Sequence, residues 1–494
     1  MDLDISHLET KKIINSLTMN IKNFFRKNRW HISHKALTEY NKLRGKDKTR
    51  FCYAPYHSLT FKPDGSIYVC FDNIRKKLGV YPQNSIAKIW NGKVIKKIRK
   101  RITRNCLDCG CEECYTQLML KNYYSITAWH YDYIRPINKK TDLPTAFDFQ
   151  LSNNCNYECI MCSGELSTSI RSNREHSPLY GCPYDDNFIE QLRPYIPNLQ
   201  NASFTGGETF LNPLYYKIWD IIVKENPQCI ISISTNGSML DDKIKSYLEK
   251  LKCNITISIN AIDEDIYKSI HVGGNMENVL NNYLYFKDYC KRVGSQLMIK
   301  ICPLRQNIYH IPALMDYFNA NDTCLSFNKV MYPPHCSLWN LHPDELGKII
   351  EFLKQNRKEA TNETERLNNS RYDTLINQLC SWQKDGVERE KLKLKDKPIS
   401  ELATMFEKKI RDYYSTLNMD SLESETEIKS ILVKTEELDK TLNNNIFKEF
   451  IIYITARPTS FVIPHLKQKS VEMLRQRVQY SFKTIEKGNG YGKD

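Results

Sequence analysis

The sequence predicts an α/β fold: a partial (β/α)6 barrel of the TIM type, with a small cysteine-rich α+β domain before it and a helical region after it. Three observations predict this arrangement. Strand-like and helical patterns alternate from about residue 145 to residue 335, six cysteines cluster between residues 50 and 118, and charged helical patterns fill the chain after residue 340. The predicted parts are an N-terminal helical segment at 1–48, the cysteine-rich domain at 49–125, the barrel at 140–340 and the helical extension at 341–494.

Six short apolar runs in the central region are typical of buried strands: AFDFQLS, NASFT, CIISIST, NITISIN, QLMIKIC and CLSFNKV. A helical pattern follows each of them or lies between them, as in YYKIWDIIVKEN and MENVLNNYLYFKDYCKRV. Because strands and helices alternate, we expect parallel strands joined by right-handed crossovers. The chemistry of such an array belongs at the carboxyl ends of its strands.

The cysteine-rich domain carries two shorter strand patterns, SLTF and SIYVC, which a Pro63-Asp64-Gly65 turn separates. This arrangement predicts a hairpin. After residue 340 the patterns are helical, and Pro343 following His342 is typical of a helix start.

Composition describes a multidomain globular protein of 494 residues, with 41% hydrophobic and 26% charged residues. No apolar run approaches the ~20 residues that span a bilayer, and the N-terminal stretch lacks the apolar core of a secretory signal. We therefore expect a cytoplasmic protein with no membrane partner. In that compartment thiols stay reduced, so clustered cysteines among the 17 indicate metal rather than disulfides.

The net charge of +14 is unevenly spread, with 11 Lys and Arg and no acidic residue between Arg75 and Arg104. Two interpretations stay open. The segment KVIKKIRKRITR is either an amphipathic helix whose Val94, Ile95, Ile98 and Ile102 face inward, or a surface that binds RNA phosphates while aromatic residues such as Trp90 stack on bases.

Three cysteines follow the first strand of the central region in a C-x3-C-x2-C pattern: Cys155, Cys159 and Cys162. They are expected in the loop at the carboxyl end of that strand, where a β/α barrel places its active site. Structural zinc takes four ligands, commonly as two pairs. Three thiols suit instead a four-iron cluster that leaves one iron open.

The pattern at this position resembles the radical S-adenosylmethionine (SAM) superfamily. Further motifs at successive strand ends carry the resemblance: TGGETF after the second strand, STNGS after the third and ISINA at the fourth. The resemblance implies that the three thiolates bind a catalytic 4Fe–4S cluster whose open iron takes SAM. An electron from the cluster then cleaves SAM to a 5′-deoxyadenosyl radical, which abstracts hydrogen from the substrate.

The same resemblance assigns candidate SAM contacts to the strand ends. Gly206, Gly207 and Glu208 would hold the methionine amino group, Thr235 and Asn236 lie in the third turn, and Ser258 with Asn260 would contact the ribose or carboxylate. Two positions depart from the family pattern. Met161 stands where an aromatic residue near the adenine is frequent, and His271 stands where many relatives have Arg; we expect both to face SAM.

The cysteine-rich domain resembles SPASM and twitch domains, which hold auxiliary iron–sulfur clusters. Cys52, Gly65 and Cys70 form a C-x12-G-x4-C pattern, and the segment NCLDCGCEECY supplies four more cysteines, Cys106, Cys109, Cys111 and Cys114. The resemblance implies one auxiliary 4Fe–4S cluster on Cys52, Cys70 and two of the later four, with Cys111 and Cys114 favoured. The competing interpretation is a zinc ribbon, because C-x2-C pairs also bind zinc.

These features predict a radical SAM oxidoreductase or maturase that acts on a peptide, protein or carbohydrate-like substrate by oxidation or cross-linking, with a flavodoxin or ferredoxin as reductant. Two alternatives remain: a radical SAM enzyme or binding protein acting on RNA through residues 75–104, and a zinc-stabilised scaffold. Candidates for a catalytic base are Glu165, Asp185, Asp186 and Tyr332.

Overall fold

The computed structural model describes residues 30–45, 48–119, 121, 123, 126–132, 143–415 and 419–486. Most of the predicted N-terminal helical segment, residues 1–29, lies outside these ranges, as do the last eight residues of the predicted extension, 487–494. The described end of the N-terminal segment contains one helix, α1 (His34–Arg44). Ser33 begins it, because its side chain accepts a hydrogen bond from the Ala36 N–H at 3.2 Å.

One sheet of nine strands forms the centre of the described structure, in the order β3-β2-β1-β4-β5-β6-β7-β8-β9. The strands are β1 (Ser58–Phe61), β2 (Ser66–Tyr68), β3 (Gly79–Val80), β4 (Ala146–Phe149), β5 (Asn201–Phe204), β6 (Ile230–Thr235), β7 (Cys253–Ser258), β8 (Leu297–Ile301) and β9 (Cys324–Phe327). From β4 to β9 all neighbours are parallel, which confirms the predicted α/β class and the six central strands.

Buried and half-buried residues alternate along the central strands, so each strand has an apolar face and a polar face. In β6, Ile231 and Ile233 are buried, whereas Ser232 and Ser234 between them are half-buried. Successive side chains of a strand point to opposite faces, so the apolar set packs under the helices and the polar set lines the concave face. Phe147 and Phe149 of β4 likewise alternate with the half-buried Asp148.

The hairpin of the cysteine-rich domain joins this sheet. β1 pairs with β2 in antiparallel fashion and with β4 in parallel fashion, in the register Thr60 to Asp148. The main sheet therefore crosses the predicted boundary between residues 125 and 140. The sequence shows the hairpin but not this pairing, because β1 and β4 are more than 80 residues apart along the chain.

Helices of the cysteine-rich part and the barrel cover the apolar faces. They are α2 (Ala54–His57), α3 (Ile86–Trp90), α4 (Lys93–Thr103), α5 (Glu112–Met119), α6 (Asp186–Leu192), α7 (Pro213–Glu225), α8 (Asp242–Leu248), α9 (Glu264–Ile270), α10 (Met276–Val293) and α11 (Ile311–Ala320). Asx N-caps begin several of them; for example, Asn275 accepts from the Asn278 N–H at 2.8 Å at the start of α10.

The predicted helical extension is confirmed. It comprises α12 (Pro343–Gln355), α13 (Glu363–Glu390), α14 (Ile399–Ser415), α15 (Ser421–Thr441), α16 (Asn444–Ala456), α17 (Thr459–Gln468) and α18 (Val471–Glu486). α12 begins at Pro343, as its position after His342 predicts. α13 packs along β9, and Asn368 of α13 accepts a hydrogen bond from the Leu325 N–H at 2.8 Å.

The basic helix α4 is amphipathic, as one interpretation of its sequence predicts. Ile95, Ile98 and Ile102 are at most 2% exposed and form its buried stripe. The prediction for Val94 is wrong, since that side chain is 39% exposed. Val94 precedes Ile95 by one residue, which places it about 100° away around the helix and outside the stripe.

Within the described ranges, no helix is both long enough and apolar enough to cross a lipid bilayer.

Candidate functional site

The three clustered cysteines lie in the loop that follows β4, at the carboxyl edge of the sheet. All three are partly exposed free thiols. The loop closes on itself through Asn153, whose side-chain N–H donates to the Gly164 carbonyl at 2.8 Å. Burial raises the pKa of Cys155 to about 11 and the pKa of Cys159 well above its usual value. The thiols therefore stay protonated at neutral pH until a metal binds them and displaces their protons.

The Gly-Gly-Glu turn after β5 packs directly on this cysteine loop. The Glu208 N–H donates to the Asn154 carbonyl at 2.6 Å. Gly207 has φ of +54°, and a Cβ there would overlap the Asn154 carbonyl oxygen. Glycine is thus required at position 207 both by the backbone conformation and by the close approach of the two loops.

The Glu208 carboxylate is turned away from solvent and is 0% exposed. It accepts hydrogen bonds from the Thr235 hydroxyl and the Asn236 N–H, each at 2.7 Å, and from the Phe210 N–H at 3.2 Å. These bonds tie the turns after β5 and β6 together. The contact of this turn with the methionine amino group of SAM, expected from the sequence, stays a prediction.

Asn236 lies beside the first cysteine. Its side-chain nitrogen is 4.0 Å from the Cys155 Sγ and donates to the Asn156 Oδ1 at 3.0 Å. Thr235 is buried, and Ser258, the last residue of β7, is half-buried on the concave face. Met161 packs against a small apolar cluster that contains Ile270 and Leu304.

His271 and Asn260, the SAM contacts expected from the sequence, are both buried in this structure. His271 is 1% exposed and Asn260 is 0% exposed. The His271 Nδ1 lies 3.2 Å from the Cys159 Sγ, and its Nε2 lies 3.0 Å from the Asn260 side-chain nitrogen. Burial lowers the pKa of His271 to about 4, so the imidazole is neutral. Both of its nitrogens face the protein.

A second group of thiols lies in the cysteine-rich part. Cys52, Cys70 and Cys114 are buried to within 9% exposure, and Cys111 is partly buried. These are the four cysteines that the sequence favours as ligands of an auxiliary cluster, and that ligand set stays a prediction. Burial raises the pKa of the Cys52, Cys70 and Cys114 thiols.

Asn73 contacts two thiols of this second group, and no sequence motif points to it. Its backbone N–H donates to the Cys70 Sγ at 3.3 Å, and its side-chain N–H approaches the Cys111 Sγ at 3.5 Å. The same amide donates to the Cys109 carbonyl at 3.0 Å. A Cβ at Gly110 would overlap the Asn73 Oδ1, so the glycine lets the two loops meet. The feature of the sequence that could have indicated this close contact is Gly110, between Cys109 and Cys111.

Cys106 and Cys109, the other two cysteines of this part of the chain, have different contacts. The Cys106 Sγ accepts from the Arg101 guanidinium at 2.5 Å, and Arg101 also pairs with Asp108. The Cys109 Sγ lies 3.8 Å from the Cys111 Sγ. Within the described ranges, no three His, Cys, Asp or Glu side chains lie close enough together to hold a single metal ion.

Helix α18 packs against the loop that carries Cys155, Cys159 and Cys162, a contact that no sequence pattern predicts. Arg477 of α18 pairs with Glu175 at 3.0 Å, and the Glu175 carboxylate also accepts the Gly164 N–H at 3.0 Å. Arg174 donates to the Cys162 carbonyl at 2.7 Å while its guanidinium lies 4.3 Å from the Tyr480 ring centre. The C-terminal extension and the cysteine loop thus share a buried polar interface.

Each residue that the sequence offers as a catalytic base has a protein partner in the structure. Glu165 pairs with Lys469 at 2.9 Å; burial acts to raise its pKa, but the Arg477 and Lys469 cations hold it at about 2. Asp185 caps α6 by accepting the Phe188 N–H at 2.9 Å. Asp186 is exposed and pairs with Lys217 at 2.5 Å, and the Tyr332 hydroxyl contacts Ser481 at 2.9 Å.

We expect Arg477→Met to lower the free energy of unfolding by about 3 to 5 kcal/mol, because it leaves the Glu175 carboxylate buried without its cation. Arg475→Met is the matched control on the same helix, since Arg475 pairs with Glu472 at the surface and exposed pairs contribute little. Urea denaturation followed by circular dichroism measures both. Equal midpoints for the two variants would contradict a stabilising role of the buried pair.

The basic segment offers no aromatic surface for bases. Trp90 is 1% exposed, and the Arg99 guanidinium lies 4.3 Å from the centre of its ring. Arg75 pairs with Glu112 at 3.1 Å, and Arg101 pairs with Asp108. The expectation that Trp90 stacks on RNA bases is wrong, because helix packing buries its ring.

The fold is of the β/α-barrel class, with three thiols in the loop after β4 and six cysteines in the segment before β4, and sequence comparison assigns a domain to each of these parts. Residues 149–302 match the model of the radical SAM superfamily, and residues 52–115 match that of SPASM, an iron–sulfur cluster-binding domain. The chain therefore carries a radical SAM domain with a SPASM domain before it, as the sequence predicts.

Curated relatives match part of the chain. A protein of Methanococcus maripaludis named "Probable GTP 3′,8-cyclase" is 26% identical over 183 residues, which cover 35% of this chain and 54% of the relative. The FeMo cofactor biosynthesis protein NifB of Methanocaldococcus jannaschii is 27% identical over 119 residues, covering 24% of this chain and 40% of the relative. This chain thus spans about half the length of the curated relatives it matches, or less.

Among solved structures, native anSMEcpe with bound AdoMet is similar at 19% identity, covering 43% of this chain and 58% of that chain, with a TM-score of 0.33. A radical SAM domain implies a 4Fe–4S cluster and SAM, and a SPASM domain implies an auxiliary iron–sulfur cluster. The predicted family, fold class, cofactors and assignment to a class of enzymes are confirmed.

Proposed function

We propose that this protein is a radical SAM enzyme that holds its catalytic 4Fe–4S cluster on Cys155, Cys159 and Cys162 and oxidises or cross-links a peptide or carbohydrate-like substrate. The observation that carries the proposal is the contact of the three-thiol loop with the Gly-Gly-Glu turn through the Glu208 N–H and the Asn154 carbonyl, at 2.6 Å. With the cluster and SAM bound, the superfamily's chemistry supplies a 5′-deoxyadenosyl radical that abstracts hydrogen.

The donor set fits such a cluster. Three free thiols share one loop, and thiolates are the usual protein ligands of iron–sulfur clusters. Cys52, Cys70, Cys111 and Cys114 supply four thiols for the auxiliary cluster in the same way. The Gly206 and Gly207 carbonyls, the Asn236 side chain and Ser258 are the groups we assign to SAM.

Polar side chains on neighbouring strands support a polar substrate. Asp148 of β4 accepts the Thr60 hydroxyl at 3.1 Å and the Tyr131 hydroxyl at 2.9 Å. Polar groups of this kind can orient hydroxyls and amides of a peptide or sugar.

A second substrate class is an anionic small molecule such as a nucleotide. Two lysines on the concave face favour it: Lys62, which donates to the Gln150 side chain at 2.8 Å, and Lys300 of β8. Burial lowers the pKa of both, and a nearby anion would act to raise it. The methanococcal relatives named as GTP cyclases agree with this class.

Anaerobically reconstituted protein is expected to contain about eight irons and eight sulfides, because two 4Fe–4S clusters hold that number. Reduced with dithionite, it should convert SAM slowly to 5′-deoxyadenosine without substrate. Peptide, sugar and nucleoside triphosphate panels then identify the class that accelerates 5′-deoxyadenosine formation, measured by liquid chromatography. Stoichiometric zinc with little iron after reconstitution would exclude the proposed function.

A further inference from the structure

The main chain holds Cys159 opposite His271. The Glu158 N–H donates to the Val272 carbonyl at 2.9 Å, and the Ile160 N–H donates to the Ile270 carbonyl at 3.0 Å. These two bonds flank the Cys159–His271 pair on both sides. The approach of the imidazole to the sulfur is therefore set by backbone pairing between the cysteine loop and the end of α9, and not by side-chain rotation alone.

A chain of hydrogen bonds decides which nitrogen of His271 carries the proton. The Cys302 N–H donates to the Asn260 Oδ1 at 2.7 Å, which orients the amide so that its nitrogen faces His271. That nitrogen lies 3.0 Å from the His271 Nε2, and as an amide N–H it can only donate. Nε2 must then accept, so the ring proton of the neutral imidazole is on Nδ1, 3.2 Å from the Cys159 Sγ.

Further contacts hold Asn260 and His271 in this arrangement. The Asn307 side chain donates to the Asn260 carbonyl at 2.9 Å, and Asn260 is 0% exposed. The His271 ring stacks on Tyr267, with ring centres 4.6 Å apart, and is 1% exposed. Neither side chain can turn toward a ligand without breaking these contacts.

We propose that His271, oriented by Asn260, donates its Nδ1–H to the thiolate of Cys159 and thereby raises the reduction potential of the catalytic cluster. The inference rests on the proposed function, since it needs Cys159 to be a cluster ligand. One-electron reduction by a flavodoxin-type donor or dithionite places additional negative charge on the cluster and its thiolates. A hydrogen-bond donor to a ligand sulfur stabilises that reduced state more than the oxidised one.

His271 is thus a positioning residue toward the cluster, in place of the SAM contact expected from the sequence. Two competing roles make different predictions. A SAM contact would affect SAM affinity and not the potential of the SAM-free cluster. A fourth metal ligand, as in zinc sites built from three cysteines and one histidine, would be needed for metal binding itself.

The test compares His271→Leu, which removes the donor, with His271→Asn, whose amide nitrogen occupies the place of Nδ1 and can still donate. His310→Leu is the control, because His310 is a partly buried histidine whose Nε2 accepts the backbone N–H of Ile262 at 3.2 Å instead of facing a cysteine sulfur. Potentials of both clusters are measured by redox titration followed by electron paramagnetic resonance without SAM, and SAM affinity is measured separately.

We expect His271→Leu to lower the ratio of reduced to oxidised catalytic cluster about tenfold at fixed ambient potential, which corresponds to about 59 mV for one electron. His271→Asn should restore most of it, and His310→Leu should change nothing. The auxiliary cluster serves as an internal reference and should keep its potential in all variants.

Three results would overturn the inference. An unchanged catalytic potential in His271→Leu with full iron content excludes the hydrogen bond as a determinant. Loss of metal in both His271 variants indicates a ligand role, and weakened SAM binding at constant potential indicates a SAM contact. A parent protein without two iron–sulfur clusters refutes the proposed function itself and is recognised before any variant is compared.

Discussion

Replacing Cys155, Cys159 and Cys162 together by alanine is expected to abolish 5′-deoxyadenosine formation and to remove about half of the iron and sulfide. The loop after β4 then holds no thiolate, so one 4Fe–4S cluster of two has no protein ligands. Iron, sulfide and 5′-deoxyadenosine are measured on anaerobically reconstituted protein. The partly exposed loop tolerates the change, because none of the three side chains is part of the buried core.

Cys380→Ala is the control, since Cys380 is a partly buried thiol of α13, remote in sequence from both cysteine groups. It should keep full iron content and the parent rate. If the triple variant forms 5′-deoxyadenosine at the parent rate, Cys155, Cys159 and Cys162 do not hold the catalytic cluster.

Cys70→Ala is expected to remove the auxiliary cluster, about four irons, while the protein still cleaves SAM at close to the parent rate. Turnover of the substrate should fall far more than SAM cleavage, because the radical would still form while the cluster proposed to accept an electron or to hold the substrate would be missing. Iron counts, cluster spectra and separate rates for SAM cleavage and substrate turnover test the prediction.

Single substitutions of the cysteines at 106, 111 and 114 distinguish two possible ligand sets for the auxiliary cluster. Cys52 and Cys70 are completed either by Cys111 and Cys114 or by Cys106 and Cys109. Cys111→Ala and Cys114→Ala should lose as much iron as Cys70→Ala, because in the favoured ligand set they complete the cluster site with Cys52 and Cys70, and Asn73 contacts the Cys70 and Cys111 sulfurs. Cys106→Ala should keep its iron, since Arg101 already engages that sulfur at 2.5 Å. Full iron in Cys111→Ala and Cys114→Ala would transfer the assignment to Cys106 and Cys109. Unchanged auxiliary spectra in Cys70→Ala would contradict both sets.

Local patterns in the chain were sufficient to locate the strands and the cysteine loop. Alternation in IISIST and NITISIN predicts β6 and β7, because side chains of a strand reach opposite faces with a period of two. The spacing of Cys155, Cys159 and Cys162 after a strand predicts their place at the carboxyl edge, since connectivity alone puts that loop there. The amphipathic stripe of α4 follows in the same way, with Val94 misplaced because it lies one position off the stripe.

Residues that act through distant contacts could not be predicted. The sequence predicts that Glu208, Asn260 and His271 contact SAM, but it does not show that all three are buried or that their polar atoms have protein partners. Neither Asn73 nor Arg477 belongs to a sequence motif. Asn73 contacts the sulfurs of Cys70 and Cys111. Arg477 pairs with Glu175, which in turn contacts the loop of Cys155, Cys159 and Cys162.

The sequence by itself determined the α/β class, the radical SAM and SPASM motifs and the thiols that can bind iron, because those properties depend on local periodicity and on short spacings. The tertiary structure alone decided that β1 joins β4 in one sheet, that α18 covers the cysteine loop and that His271 faces Cys159. His271 follows Cys159 by 112 residues, and Arg477 follows Glu175 by 302. Contacts at such separations are set by how helices and strands pack together, and hydrogen bonds depend on differences of tenths of an ångström that no residue pattern encodes.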